Sequence, residues 1–205
     1  MTDRVLLRGR DLGVWRGEQC LFEQLDFDLG AQQLALLVGP NGSGKTTLLR
    51  ILAGLAPPTS GTVTWKDVAI GKLEAENRGE VAYRGHFEAL KRDLTVAENL
   101  SFHTALWNRE PAFDEVLTEL RLSKVADMRA RYLSAGQRRR VALAMLQLSG
   151  ATLWLMDEPT TNLDIEGRAL LVEWTRRHLA RGGLAVVATH QPDEFATSGA
   201  LMIEL

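Results

Sequence analysis

Eight consecutive residues, Gly39-Pro40-Asn41-Gly42-Ser43-Gly44-Lys45-Thr46, follow the apolar run Leu34 to Val38 and lead into Thr47-Leu48-Leu49, which reads as a helix start. The spacing G-x-x-x-x-G-K-[ST] between a strand and a helix is that of a phosphate-binding loop. Its glycines let backbone N–H groups converge on phosphate oxygens, helped by the positive end of the following helix. Lys45 is then expected to reach the β- and γ-phosphates and the Thr46 hydroxyl to ligate Mg²⁺. The run from Gly39 through Thr47 supplies the candidate nucleotide contacts. A second constellation is Leu153-Trp154-Leu155-Met156-Asp157-Glu158, an apolar strand that ends in two acids. Asp157 is placed to hold Mg²⁺, which prefers oxygen ligands and keeps several waters. Glu158 is the candidate to orient and deprotonate an attacking water. Together the two segments complete a parts list for nucleoside triphosphate hydrolysis.

The elements that must position these groups can be read from the pattern. Short apolar stretches bounded by turn residues alternate with helical segments, the order of an α/β domain with a mostly parallel sheet. Leu34 to Val38, Val81 to Tyr83, Thr152 to Met156 and Leu184 to Ala188 are the expected buried parallel strands. Three of the four end at residues suited to phosphate chemistry, and open α/β sheets bind ligands at strand carboxyl ends. Val5 to Arg8, Val14-Trp15 and Gln24 to Leu29 read as strands of a separate antiparallel layer, joined by Thr62 to Trp65. Val96 to Leu106 and Phe113 to Leu120 place apolar residues at helical spacing, and Pro111 sits where a helix can start. The stretch between Phe87 and Met145 therefore reads as a helical insert between core strands.

Composition narrows the class. A chain of 205 residues suits one sizeable domain, and a net charge of −2 gives no broad positive field for nucleic acid. One cysteine, Cys20, excludes an internal disulfide and a cysteine-based metal cluster, consistent with a reducing compartment. The opening MTDRVLLRGRDLG lacks the apolar core of a signal peptide, and no apolar run approaches the roughly 20 residues needed to span a bilayer. Any membrane pathway is expected to come from another polypeptide.

A third segment, Leu133-Ser134-Ala135-Gly136-Gln137, precedes Arg138-Arg139-Arg140-Val141-Ala142-Leu143-Ala144. A hydroxyl residue and a glycine at a helix start can offer Oγ and N–H donors to an anion, and Ser134 is equally suited to be a plain N-cap. The three arginines point in different directions at helical spacing, so solvated, partner-facing or salt-bridged roles are expected for them. The segment resembles the signature Leu-Ser-Gly-Gly-Gln of the ABC ATPase family. That resemblance implies an α/β fold: a P-loop NTPase (RecA-like) core with an N-terminal antiparallel β layer and an inserted helical subdomain, the ABC ATPase cassette. It implies a single domain over 1–205, with core and β layer at about 1–86 and 146–205 and the helical subdomain at about 87–145. It also implies an ATP hydrolase whose sites are shared in a homodimer. Lys45, Thr46, Asp157, Glu158 and His190 would come from one subunit, and Ser134 and Gly136 would meet the γ-phosphate from its mate.

Other positions fall in the family's order. Thr161-Asn162-Leu163-Asp164 resembles the D-loop along the dimer seam, and Thr189-His190 resembles the switch histidine that contacts the γ-phosphate. Trp15 stands where the family stacks an aromatic on adenine, although a core or edge-strand role suits it too. The choice of ATP over GTP rests on the resemblance. Two departures stand out: Ala135 within the signature, and Arg84-Gly85-His86 where the family places a glutamine near Mg²⁺. Imidazole suits Mg²⁺ poorly as a direct ligand, so His86 is expected to act through water or in coupling.

Gly85-His86, Leu133 to Ala144, Ala151 to Pro159 and Thr189 to Pro192 are similar to segments of the ATP-binding subunits of bacterial cytochrome c maturation, the haem exporter ATPases. This narrower resemblance implies a CcmB-like integral membrane permease and a CcmC-like protein as partners, at the cytoplasmic face of the inner membrane. It implies neither nucleic acid as a partner nor direct haem binding. An ATPase subunit for a different small ABC transporter shares every catalytic residue. A soluble, non-transport ABC ATPase is the more distant alternative.

Overall fold

The computed structural model describes residues 5–85, 89–107, 113–195 and 199–205. Its elements run β1 (Val5–Arg16), β2 (Gln19–Gly30), β3 (Leu34–Val38), α1 (Lys45–Leu52), β4 (Ser60–Trp65), β5 (Val68–Ala69), α2 (Ala75–Arg78) and β6 (Val81–Arg84). There follow α3 (Val96–Leu106), α4 (Asp114–Glu119), α5 (Ala135–Leu148), β7 (Leu153–Asp157), α6 (Ile165–Ala180), β8 (Leu184–Ala188) and β9 (Leu201–Glu204). Two sheets form. One is antiparallel, in the order β2-β1-β4-β5; the other is parallel, in the order β6-β7-β8-β3-β9.

β3 and β8 are apolar at every position, and β7 up to its final Asp157, because both faces of the sheet are covered there. Alternate residues go to opposite sides, as a period of two requires. Leu34, Leu36, Trp154, Met156, Ala185 and Val187 join a core built with α3, α5 and α6. Ala35, Leu37, Leu153, Leu155, Val186 and Ala188 join a second core, formed with α1 and the inner face of the antiparallel sheet. This second core includes Leu48, Leu49, Ile51 and Leu52 of α1, which fixes the helix, and the loop before it, against the sheet.

The starts of α3, α5 and α6 are marked by side-chain caps. Thr95 and Glu98 form a reciprocal capping box on α3, Ser134 and Gln137 form another on α5, and the Asp164 carboxylate accepts from Gly167 N–H at the start of α6. No helix among the described residues is long and apolar enough to cross a membrane.

The α/β architecture read from the sequence is the one observed, with differences of detail. The N-terminal strands are longer than expected: β1 and β2 are twelve residues each, kept continuous by register shifts around positions 9 to 15. A bulge changes which residues alternate, and that breaks the periodic pattern a sequence displays. β9 was not foreseen; it adds to β3 with Val38 opposite Glu204, forming the edge beside the phosphate-loop strand. Pro111, expected near a helix start, lies outside the described residues, and the following helix begins at Asp114.

Candidate active site

The loop from Gly39 to Gly44 runs from the carboxyl end of β3 to the start of α1. Gly39 has φ of 143°, and a methyl group there would meet Leu205 O at 2.4 Å. Gly44, the α1 N-cap, has φ of 109° and lies against the Phe22 ring, 3.0 Å from where a side chain would begin. Only glycine fits both demands. With Gly44 giving no side-chain cap, the first-turn N–H groups of α1 have no partner within the helix and face the loop. Lys45 is buried, and its ammonium donates to Gly39 O at 2.7 Å and Pro40 O at 2.9 Å, which curls it back over the loop. Ser43 Oγ is buried without a hydrogen-bond partner. Pro40, Asn41, Gly42 and Thr46 are exposed, and Thr47 is half-buried.

Across the sheet, β7 delivers Asp157 beside this loop. Thr46 Oγ donates to Asp157 Oδ2 at 2.8 Å, joining residues 111 apart in sequence. Asp157 is 4% exposed. Burial, and then the Asp157 carboxylate, raise the Tyr83 phenol above its ordinary value. Glu158 follows with φ of 46°, a left-handed conformation that costs a non-glycine residue about 1–2 kcal/mol. Its N–H donates to Ala188 O, the last residue of β8. The Glu158 Oε1 oxygen stands 3.3 Å from His190 Nε2, at ion-pair distance but not aligned as a hydrogen bond, and is otherwise buried without a partner. Asp157, Glu158 and His190, at or just beyond the carboxyl ends of β7 and β8, thus lie beside the start of α1, which carries Lys45 and Thr46.

Ser134 and Gly136 lie at the start of α5, as the N-cap and second residue. Ser134 Oγ accepts from Gln137 N–H at 3.2 Å, while the Gln137 side chain accepts from Ser134 N–H at 2.8 Å. Accepting a bond leaves the hydroxyl proton of Ser134 available to donate, so capping and anion contact are compatible. The arginine triplet departs from expectation at its centre. Arg138 donates to Leu133 O, and Arg140 donates through Nη2 to both carboxylate oxygens of Asp164 at 2.7 and 2.6 Å. Arg139, however, is 5% exposed and turned inward. It donates to Glu158 O at 2.6 Å, Asp157 O and Pro159 O at 3.2 Å each, and Gly85 O at 3.4 Å. Solvated, partner-facing or salt-bridged roles were expected for the three; the helix turn that buries the middle one is invisible until α5 is docked. Asp164 also gains a role: it caps α6, and the Arg140 guanidinium followed by the Gly167 N–H holds its carboxyl below the usual range.

The family profile described as ABC transporter matches residues 22–161. The chain belongs to the ABC transporter family. Within it, the cytochrome c biogenesis ATP-binding export protein CcmA 2 of Cupriavidus metallidurans is 43% identical over 194 residues, covering 93% of this chain and 92% of the relative. The CcmA protein of Tatumella citrea is 42% identical over 191 residues, covering 92% and 91% respectively. A solved structure described as the ATP binding subunit of an ABC transporter superposes with a TM-score of 0.83 at 24% identity, over 92% of this chain and 81% of that one. The last likeness concerns the fold.

As an ABC ATPase the chain binds nucleotide, and its remaining predicted contacts can be placed against that. Trp15 lies near the end of β1, 47% exposed, opposite Cys20 of β2. Trp15 is thus not a core residue; beside it β1 is paired with β2, whereas its pairing with β4 reaches only to Gly13. Two positions on from Cys20, Phe22 packs on Gly44, which brings this end of the hairpin beside the phosphate loop. The exposed indole is available to a base there. His86, read at the usual glutamine position, lies outside the described residues. Arg84, two residues earlier, is half-buried and donates to Ala142 O; desolvation of its guanidinium, followed by the charge of Arg139, lowers its pKa to about 10.

Proposed function

We propose that this ABC ATPase hydrolyses ATP at two composite sites of a homodimer and drives an export step in cytochrome c biogenesis. The observation that carries the hydrolytic reading is the 2.8 Å contact between Thr46 Oγ and Asp157 Oδ2. It puts the hydroxyl of the phosphate loop and the strand-end carboxylate on one point. Both donors are oxygens, the ligand type Mg²⁺ demands, so the pair suits that ion. Thr46 and Asp157 would hold Mg²⁺, which when bound supplies charge neutralisation at the phosphates.

The chain's own groups divide the remaining work. Lys45 exchanges two carbonyl acceptors for phosphate oxygens, a stronger charge-assisted bond. Ser43 and the glycine-rich loop give Oγ and N–H donors to the phosphates, and Trp15 stacks on adenine. Glu158 takes the proton of the attacking water through an oxygen that no aligned hydrogen bond occupies. His190, 3.3 Å away, orients that water and contacts the γ-phosphate. Ser134 and Gly136 reach the γ-phosphate bound by the mate, and His86 serves coupling to the membrane subunit.

The likeness to cytochrome c biogenesis export proteins supports the export role; the partners of this reading are a CcmB-like permease and a CcmC-like protein at the cytoplasmic face of the inner membrane. Tagged wild-type chain purified from native membranes is expected to bring down a CcmB-like protein; an unrelated permease instead would point to another cargo. In that complex Glu158→Gln should retain ATP binding and lose about 10²–10⁴ of the turnover, the size of a general acid–base contribution. Near-normal turnover would remove Glu158 from its role.

A further inference from the structure

Three contacts join α5 to the loop that follows β7, and they recur at helical spacing. Gly136 faces Asn162 O, so that a methyl group on it would stand 3.3 Å away; Arg139 donates to Asp157 O, Glu158 O and Pro159 O; Arg140 pairs with Asp164. Positions i, i+3 and i+4 share one helix face. That face is laced along the loop from Asp157 to Asp164. The central contact is short, 2.6 Å from Arg139 Nη2 to the carbonyl of Glu158.

This carbonyl belongs to the residue whose backbone is left-handed. Turning the Glu158 peptide back would carry its oxygen away from a buried guanidinium, which also holds the carbonyls on either side. A planar fork with five N–H donors can serve several carbonyls at fixed angles; a lysine ammonium cannot reproduce that geometry. Arg139 also reaches Gly85 O, at the end of β6 and next to the position read as the coupling residue His86. One side chain therefore touches the backbone of two motif loops while riding on the helix of a third.

We propose that Arg139 is a positioning residue that fixes the direction of the Glu158 carboxylate and links it to the α5 start that serves the opposite ATP. The inference rests on the reading of Glu158 as the base. Arg139 lies five residues, roughly 7.5 Å of helix rise, beyond Ser134. A shift of α5 when Ser134 and Gly136 engage the mate's γ-phosphate is delivered through Arg139 to Glu158 of the same chain. Each ATP thereby conditions hydrolysis of the other.

The test uses the complete complex, with turnover, KM for ATP and the Hill coefficient measured for Arg139→Gln, Arg139→Lys, Glu158→Gln and the double variant Arg139→Gln/Glu158→Gln. Arg139→Gln should lose about 10- to 100-fold in kcat, the scale of a small misplacement of a catalytic group, with KM within about twofold of wild type. Its Hill coefficient should fall towards about one, the value for uncoupled sites. Arg139→Lys should lose kcat in the same way, and serves if the glutamine variant fails to fold. The double variant should be no more than about twofold slower than Glu158→Gln alone, because residues acting as a unit are not additive. Multiplying losses, a raised KM at unchanged kcat, or wild-type turnover in both Arg139 variants would overturn the proposal. Normal turnover in Glu158→Gln would instead remove the reading beneath it.

Discussion

A carboxylate that takes a proton from water needs a free lone pair aimed at the substrate and a backbone that cannot turn it away. Glu158 offers an Oε1 that no aligned hydrogen bond occupies and a left-handed φ at a peptide whose N–H is fastened to the end of β8. The types and order of Lys45, Thr46, Asp157, Glu158 and His190 were legible in the sequence, because each follows a strand. Their mutual distances were not, and neither was Arg139, whose importance lies in the direction its side chain takes. His178 makes a similar point away from the site. It stacks on Trp154 at 4.0 Å and donates through Nε2 to Thr152 O and Leu184 O, both of which are acceptors. Burial lowers its pKa, outweighing the two carbonyl bonds that raise it. A lowered folded pKa means that the unfolded chain binds the proton first as pH falls below 6.5. The stability this ring gives is complete above that value and is lost as pH falls through the folded pKa. Wild type should therefore lose more Tm between about pH 7.5 and about pH 5.5 than His178→Gln does, as read by thermal melts at both. His103, lowered mainly by burial, leaves the variant a residual slope. An equal loss in both proteins would count against His178.

At the scale of elements, the parallel sheet was readable because burial on both faces leaves a continuous apolar run. Four of its five strands, β3, β6, β7 and β8, were found within a residue or so. The edge strand β9 was not, since Leu201 and Met202 are exposed and only Ile203 is buried. Without alternation over several residues, a four-residue strand carries too little pattern to be seen. Capping boxes, by contrast, are local and legible, and α5 shows how one can conceal a second use. Ser134 holds the helix start through Gln137, so Ser134→Ala would confuse lost cap with lost donor. Aspartate caps as well as serine but adds a negative charge where a phosphate would come. Ser134→Asp should keep the Tm of the wild type within a few degrees, about 1 kcal/mol or less in stability, while ATP turnover collapses. A variant that melts normally and hydrolyses normally would leave Ser134 as a cap and nothing more.

For the whole molecule, the decisive feature is that Ser134 opens one helix of the fold while Glu158 ends a strand of the parallel sheet, and the two are expected to serve different nucleotides. If a site takes its loop and base from one chain and its signature from the other, two inactive variants can repair each other. In a mixed dimer of Glu158→Gln with Ser134→Asp, one site collects both defects. The other takes Glu158 from the Ser134→Asp chain and Ser134 from the Glu158→Gln chain, and is wild type throughout. Random pairing of equal amounts makes half of the dimers mixed, with one sound site in two, so turnover should recover to at most about a quarter of wild type. Coupling through Arg139 would hold the recovery below that ceiling, because the sound site faces a damaged neighbour. Adding Arg139→Gln to the Ser134→Asp chain disturbs Glu158 in the sound site and should abolish the recovery. Adding it to the Glu158→Gln chain leaves the base of the sound site untouched and should spare most of the recovery. Mixtures no more active than the sum of the separate variants would show that each chain completes its own site.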